Sequence, residues 1–301
     1  MIKPKYLEKG DKIIITSPAG RVTKESVDIY AAFLRERGFI VEITENCTSR
    51  YFNYAATDEL RLKEMQESLD DEEASLILCS RGGYGTGRIL SSLNFANFEK
   101  NPKWVVGFSD ITNLHLHLNN LGIMSVHGPM TQSFTLSEDK ESVDNLIKLL
   151  IGDTFEYNIR NNELNKTGEC EAEIVGGNLS IIYSLQGTKY EINTDNKILF
   201  IEDLNEYLYH LDRIMISLKL GGKLSKLKGL VVGGFTDMLD HKNPFGKNAY
   251  EIIKEHIVEY DYPVCFDFPA GHISNNQPFT VGETYKLEVK DKTVDFYMKT
   301  K

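Results

Sequence analysis

Apolar positions in the first half of the chain alternate between short β-branched runs and stretches with helical spacing. Residues 12–16 (Lys-Ile-Ile-Ile-Thr) form a buried-strand pattern that ends in the turn Ser17-Pro18-Ala19-Gly20. Over 25–37, Val27, Tyr30, Ala31 and Leu34 recur on one helical face, and Gly38 stops the run. Strand patterns return at 39–44, 76–79 and 104–106. A helix pattern covers 57–69, with Thr57 in position to cap it. Strand and helix in alternation predict a parallel sheet covered on both faces.

The pattern turns polar over 136–165, which reads as a boundary region: a helix over 142–151, then a polar linker over 158–166. The second half begins near Gly168 and shows strand patterns at 197–201, 229–235 and 262–268, with a helix over about 207–220. No internal repeat is evident. The expectation is an α/β chain of two domains, 1–150 and 168–301.

With 301 residues, 41% hydrophobic and 26% charged, the chain is long and apolar enough to bury two cores. Its net charge of -10 argues against a nucleic-acid partner, because phosphate binding draws its affinity from Lys and Arg. The cysteines Cys47, Cys79, Cys170 and Cys265 make no CxxC pair and no zinc spacing; Cys79 and Cys265 sit in apolar runs and read as core. No apolar signal region opens the chain and no run reaches membrane-spanning length, so no membrane contact is expected and the cytoplasm is the expected location.

Ligands of parallel α/β sheets gather at the C-terminal ends of strands, which directs attention to four turns. Gly107-Phe108-Ser109-Asp110 follows the strand at 104–106, and Ile111, Leu114, Leu118 and Leu121 then mark one helical face. A serine between a buried strand and a helix start is where a nucleophile elbow lifts its hydroxyl above the sheet. Ile111 departs from the G-x-S-x-G pattern, and a plain helix cap at Ser109 or Asp110 fits the same residues. The segment Ser80-Arg81-Gly82-Gly83-Tyr84-Gly85-Thr86-Gly87-Arg88 follows the strand at 76–79. Its glycines let backbone N–H groups crowd toward a phosphate or an oxyanion, or simply make a tight turn. It is not a P-loop, since no Gly-Lys-Ser/Thr follows, and Arg88 stands where a dinucleotide fingerprint needs its third glycine.

Glu202-Asp203 directly follows the third of these strand patterns, at 198–201. Two carboxylates there suit ion pairing, orientation of a histidine, a metal or a glycosidase pair, or a surface turn. Pro269-Ala270-Gly271-His272 follows the fourth strand, and the small residues leave the imidazole uncrowded; an exposed structural histidine fits equally. The remaining histidines are weaker candidates. His115 and His117 diverge by about 200° on one helix and cannot share a metal. His127 precedes Gly128-Pro129 and is a candidate pocket wall, while His210, His241 and His256 lie among polar positions and read as solvated. No HExxH is present, which disfavours a zinc peptidase.

Taken in order, Ser17-Pro18-Ala19, Arg81-Gly82-Gly83-Tyr84-Gly85, Gly107-Phe108-Ser109-Asp110-Ile111-Thr112, His127-Gly128-Pro129, Gly176-Gly177-Asn178-Leu179, Leu199-Phe200-Ile201-Glu202-Asp203, Asp212-Arg213 and Gly271-His272 cover almost the whole chain. Together they resemble the LD-carboxypeptidase family of serine peptidases, which includes murein tetrapeptide carboxypeptidases. The resemblance implies a Rossmann-like N-terminal domain with a parallel sheet and a smaller β-rich C-terminal domain of the swivelling β/β/α type. It implies a triad of Ser109 as nucleophile, Glu202 as acid and His272 as base, with backbone N–H groups of Asp110, Gly82 and Gly83 as the oxyanion hole. It also implies no cofactor, no metal and a homodimer, and as substrate a small peptide or muropeptide of cell-wall recycling that loses a terminal D-alanine. A free substrate carboxylate calls for a cation, which Arg81 or Arg88 could supply.

Two other readings compete. A related immunity hydrolase of microcin C-type peptidyl-nucleotides would need an aromatic platform for the base. Glu206-Tyr207-Leu208-Tyr209 with Asp212-Arg213 looks more like the cell-wall branch, and Trp104, the sole tryptophan, precedes a buried strand. A non-catalytic Rossmann-like protein that cradles phosphate on 82–87 is the reading from a different class.

Overall fold

The β-branched runs of the first half become parallel strands. The computed structural model describes residues 1–136, 140–154 and 156–298. Strands β1 (Lys12–Thr16), β2 (Ile40–Ile43), β3 (Ala74–Cys79), β4 (Trp104–Gly107) and β5 (Ser125–His127) pair in parallel in the order β2-β1-β3-β4-β5. Every residue of β4 is buried, as a central parallel strand requires. Helices α1 (Lys24–Glu36), α2 (Asp58–Asp70), α3 (Thr86–Leu90), α4 (Ala96–Lys100) and α5 (Thr112–Asn120) run between the strands, and α6 (Thr131–Leu136) and α7 (Glu141–Ile151) follow β5. Thr23 and Thr57 cap α1 and α2, accepting from Ser26 N at 3.3 Å and Leu60 N at 3.4 Å. α1 buries Val27, Tyr30, Ala31 and Leu34, the predicted face.

The second unit is built on one mixed sheet. Its strands are β6 (Glu156–Arg160), β7 (Gly168–Asn178), β8 (Ile198–Leu204), β9 (Gly229–Thr236) and β10 (Val264–Cys265). After β11 (Phe279–Val281), which pairs with β5 at the edge of the first sheet, come β12 (Thr284–Val289) and β13 (Thr293–Met298). The order β10-β9-β8-β7-β12-β13-β6 runs parallel from β10 to β7 and antiparallel from β7 to β6. Helices α8 (Leu179–Ser184), α9 (Leu208–Leu220) and α10 (Ala249–Ile257) connect the parallel strands; a capping box between Asn248 and Glu251 starts α10.

The two units do not follow the expected boundaries of 1–150 and 168–301. The first comprises Met1–Asp153 and Ser274–Thr280, the second Thr154–Ile273 and Val281 onward. Pairing of β11 with β5 takes the late segment into the first unit. The polar stretch 158–166 is likewise not all linker, because its start belongs to β6, an edge strand whose polar positions alternate with buried Tyr157 and half-buried Ile159. Residues 137–139 and 155 of the expected boundary region lie outside the described residues. Cys79 and Cys265 are fully buried, and Trp104 is 1% exposed with its indole N–H donating to Lys5 O at 2.8 Å. Among the described residues, no helix is long and apolar enough to cross a membrane.

Candidate active site

In the first unit the site is built where β4 ends. Ser109 opens a 3-10 turn (Ser109–Ile111) ahead of α5, is only 9% exposed, and holds φ at 63°. That left-handed conformation costs a non-glycine residue about 1–3 kcal/mol and persists where its surroundings enforce it. The N-cap position of α5 falls on Ile111, so neither Ser109 nor Asp110 caps that helix. Instead the Asp110 carboxylate accepts from Thr86 N at 2.7 Å and ties the elbow to the start of α3. Burial raises the Asp110 pKa, against the bonds from Thr86 that lower it.

Gly82 comes against this elbow. A methyl group on its Cα would stand 2.7 Å from Cβ and 2.9 Å from Oγ of Ser109, and 3.2 Å from Asp110 N. Only a glycine leaves that gap. Gly82 O accepts from Gly20 N at 2.9 Å, which pins the turn from its other side to the segment after β1. The structure thus gathers Gly82, Ser109 and Asp110 N in one place.

In the second unit, Glu202 lies on β8 and is fully buried. Where β8 pairs with β9 the register slips between Ile201 and Asp203, so β9 bulges at Gly233–Gly234. Gly234 N donates to Ala270 O at 3.0 Å, which draws the turn before His272 onto the bulge. Gly271 has φ at 110°, and a methyl there would lie 2.8 Å from Glu202 Oε2. The result is a bond of 2.6 Å between His272 Nδ1 and Glu202 Oε2. Burial lowers the imidazole pKa, but the Glu202 charge and hydrogen bond, with the Asp203 charge, leave it raised above its ordinary value.

The sequence pattern of the LD-carboxypeptidase N-terminal domain matches residues 13–128, and that of the C-terminal domain residues 171–287. The chain belongs to the LD-carboxypeptidase family. It is 33% identical to a probable murein peptide carboxypeptidase of Bacillus subtilis over 97% of this chain and 93% of that protein. The crystal structure of a muramoyltetrapeptide carboxypeptidase from Oxalobacter formigenes matches with a TM-score of 0.87 at 27% identity, covering 96% of this chain and 99% of that one. The fold is shared with MccF in complex with glutamyl sulfamoyl guanosine (TM-score 0.84, 20% identity, 98% of each chain).

In this LD-carboxypeptidase family member the two adjacent acids do different things. Asp203 accepts from Asn178 Nδ2 at 2.9 Å, Ser180 N at 3.0 Å, Ser180 Oγ at 2.8 Å and Leu204 N at 2.9 Å. Asn178 in turn caps α8, accepting from Ile181 N at 3.2 Å. Burial, with the Glu202 charge beside it, pushes the Asp203 carboxyl up to about 6. Asp203 is therefore a scaffold for α8, while Glu202 faces the imidazole.

The arginines also separate. Arg88 holds Asp58 with a two-point fork, Nε to Oδ2 at 2.8 Å and Nη2 to Oδ2 at 2.6 Å. Arg81 is half-buried, and its guanidinium donates to the backbone oxygen of Arg21 at 2.7 Å. Of the remaining histidines, His210 and His256 are half-buried rather than solvated, each bonded to an acid: Glu206 at 2.6 Å and Asp212 at 2.7 Å. His127 is buried and stacks on Phe279 at 4.9 Å between ring centres. Among the described residues no three His, Cys, Asp or Glu side chains are grouped to hold a metal.

His115 has a role the sequence did not reveal. It is fully buried, with Nε2 2.8 Å from Gly107 O and Nδ1 2.8 Å from Ser125 Oγ. Burial lowers its pKa to about 4, so it is neutral; Nε2–H donates to the carbonyl and Nδ1 accepts from the serine. The ring therefore braces the strand residue two before Ser109 against β5.

Proposed function

We propose that this chain is a serine carboxypeptidase that hydrolyses the L,D-peptide bond before the terminal D-alanine of murein tetrapeptides. The observation that carries the reading is the 2.6 Å bond from His272 to a fully buried glutamate, in a member of a family so named. Ser109 is the nucleophile: a serine hydroxyl is weakly nucleophilic at neutral pH and needs a base to take its proton. His272 is that base, acting through Nε2 while Nδ1–H donates to Glu202. Glu202 holds the ring in that tautomer and stabilises the imidazolium. N–H groups of Asp110, Gly82 and Gly83 stabilise the tetrahedral oxyanion, and losing one such donor costs about 3 kcal/mol. His272 then protonates the leaving amine, and water hydrolyses the acyl-enzyme.

Support for these roles is local. The strained φ at Ser109 matches a nucleophile elbow, and Gly82 reaches the seryl side chain and the Asp110 amide. With the Arg88 fork taken by Asp58, Arg81 is the better anchor for the substrate carboxylate. Recycled cell-wall peptides are processed inside the cell, so the proposed location is the cytoplasm, and a homodimer is the proposed assembly. The test is incubation with a murein tetrapeptide, following released D-alanine with Ser109→Ala as control. Tripeptide and D-alanine in equal amounts support the reading, and an intact tetrapeptide sinks it.

A further inference from the structure

A cavity of about 460 Å³ in the first unit is lined by Arg21, Lys24, Arg50 and Arg81 together with hydroxyls of Thr23, Thr48 and Ser49. No Asp or Glu lines it. Lys24 pairs with Asp28 at 2.6 Å, but among the described residues Arg21, Arg50 and Arg81 have no acidic partner. Burial and the Arg21 charge both lower the Arg81 pKa, as expected where like charges are crowded without compensation. Thr23 and Lys24 are the N-cap and first residue of α1, a helix of 13 residues, so its positive end also meets this space. Three guanidiniums without an acidic partner around one cavity, with Arg81 half-buried, make it a receptor suited to an anion.

One lining residue, Arg81, ties the cavity to the seryl turn and guides the choice of anion. Arg81 is bonded to Gly82, the residue that abuts the Ser109 side chain, and consecutive Cα atoms are only about 3.8 Å apart. In a peptide cleaved at its last bond, the terminal carboxylate lies two bonds beyond the scissile nitrogen, within a few ångströms of the attacked carbonyl. Resting on the carboxypeptidase reading above, we infer that this cavity is the subsite for the leaving residue, with Arg21 and Arg50 joining Arg81 as receptors of its terminal carboxylate. The arginine cluster then explains exopeptidase specificity: an amide or an extended chain at that end would leave the cations unpaired.

Calorimetry on the non-hydrolysing Ser109→Ala protein tests this, using a murein tetrapeptide and its C-terminal amide. The free acid is expected to bind about tenfold or more tightly than the amide, since a charge-assisted bond is lost. Arg21→Ala and Arg50→Ala should each weaken the acid by about tenfold and leave the amide unchanged, and Arg50→Lys should restore part of the loss. Thermal melts confirm folding. Equal binding of acid and amide, equal weakening of both by the two variants, or no binding of either peptide overturns the inference. D-alanine release by the unsubstituted enzyme, measured in parallel, shows whether the peptidase reading survives that result.

Discussion

Oε2 of Glu202 accepts two bonds from His272, one from the ring Nδ1 at 2.6 Å and one from the backbone N at 3.2 Å. A single oxygen thus fixes both the imidazole and the turn that presents it. Glu202 is completely buried and the His272 side chain is 16% exposed, so the pair interacts in a medium of low polarity where its charge interaction is strong.

With His272 as the proposed base, this pairing predicts the acid limb of activity. A raised imidazole pKa means that His272 stays protonated to higher pH, and a protonated ring cannot accept the seryl proton. The kcat/KM profile should therefore fall on the acid side with an apparent pKa above the ordinary 6.5. Glu202→Gln removes the charge that holds the proton, so the limb should move to lower pH while the plateau drops by about 10⁴. A limb that keeps its position in Glu202→Gln would assign it to another group.

Gly82→Ala should separate chemistry from folding. The new methyl would crowd Cβ and Oγ of Ser109 at 2.7 and 2.9 Å. Relief requires the turn or the elbow to shift, which moves donors away from the oxyanion. A loss of about 10²–10³ in kcat is expected, with a stability loss of about 1–3 kcal/mol. Circular dichroism and single-turnover rates check both; activity within twofold of the parent would refute the close approach.

Strands β1–β4 and β8–β10 and the four chemical turns were legible because each strand is an apolar run with a local signal at its end: glycine or a small residue at three of them, paired acids at the other. Choosing between Glu202 and Asp203 was not possible from those signals alone. Adjacent residues on a strand point to opposite faces, so their roles depend on register with β9 and on a histidine seventy residues away. Arg88 was ambiguous for the same reason, since its partner Asp58 is thirty residues distant. The half-polar strands β6, β7, β12 and β13 were missed because exposed polar positions interrupt them, and β5 and β11 because three residues are too short to show a pattern. The membership of Ser274–Thr280 in the first unit depends on a long-range pairing that no local pattern encodes.

Asp203→Ala should damage stability far more than turnover. It deletes the acceptor for Asn178, for both Ser180 groups and for Leu204 N, and leaves buried donors unpaired. A loss of about 2–4 kcal/mol in urea denaturation is expected. The Glu202–His272 bond is untouched, so kcat should stay within about tenfold of the parent, against the roughly 10⁴ expected for Glu202→Gln. A comparable collapse in both variants would make Asp203 part of the catalytic apparatus.

His115 gives the fold a specific acid sensitivity. Its pKa is about 4 when folded and 6.5 when solvated, so below 6.5 the unfolded chain binds a proton that the folded one refuses. The stabilisation from the neutral ring is therefore complete above 6.5 and is lost as pH falls toward 4, by about 3 kcal/mol in all. Asp203, raised to about 6, acts with the opposite sign in an overlapping window, so the bare stability curve mixes the two. His115→Leu isolates the effect. The variant should be less stable than the parent at pH 7, where Gly107 O and Ser125 Oγ lose their partner. The gap should shrink by about 3 kcal/mol by pH 4, because the leucine has no proton to take up. Urea denaturation of both proteins at several pH values in this window measures it. A gap that stays constant from pH 7 to 4 would mean that residue 115 titrates alike in the folded and unfolded chain, and that its ring is not the buried neutral brace behind the seryl turn.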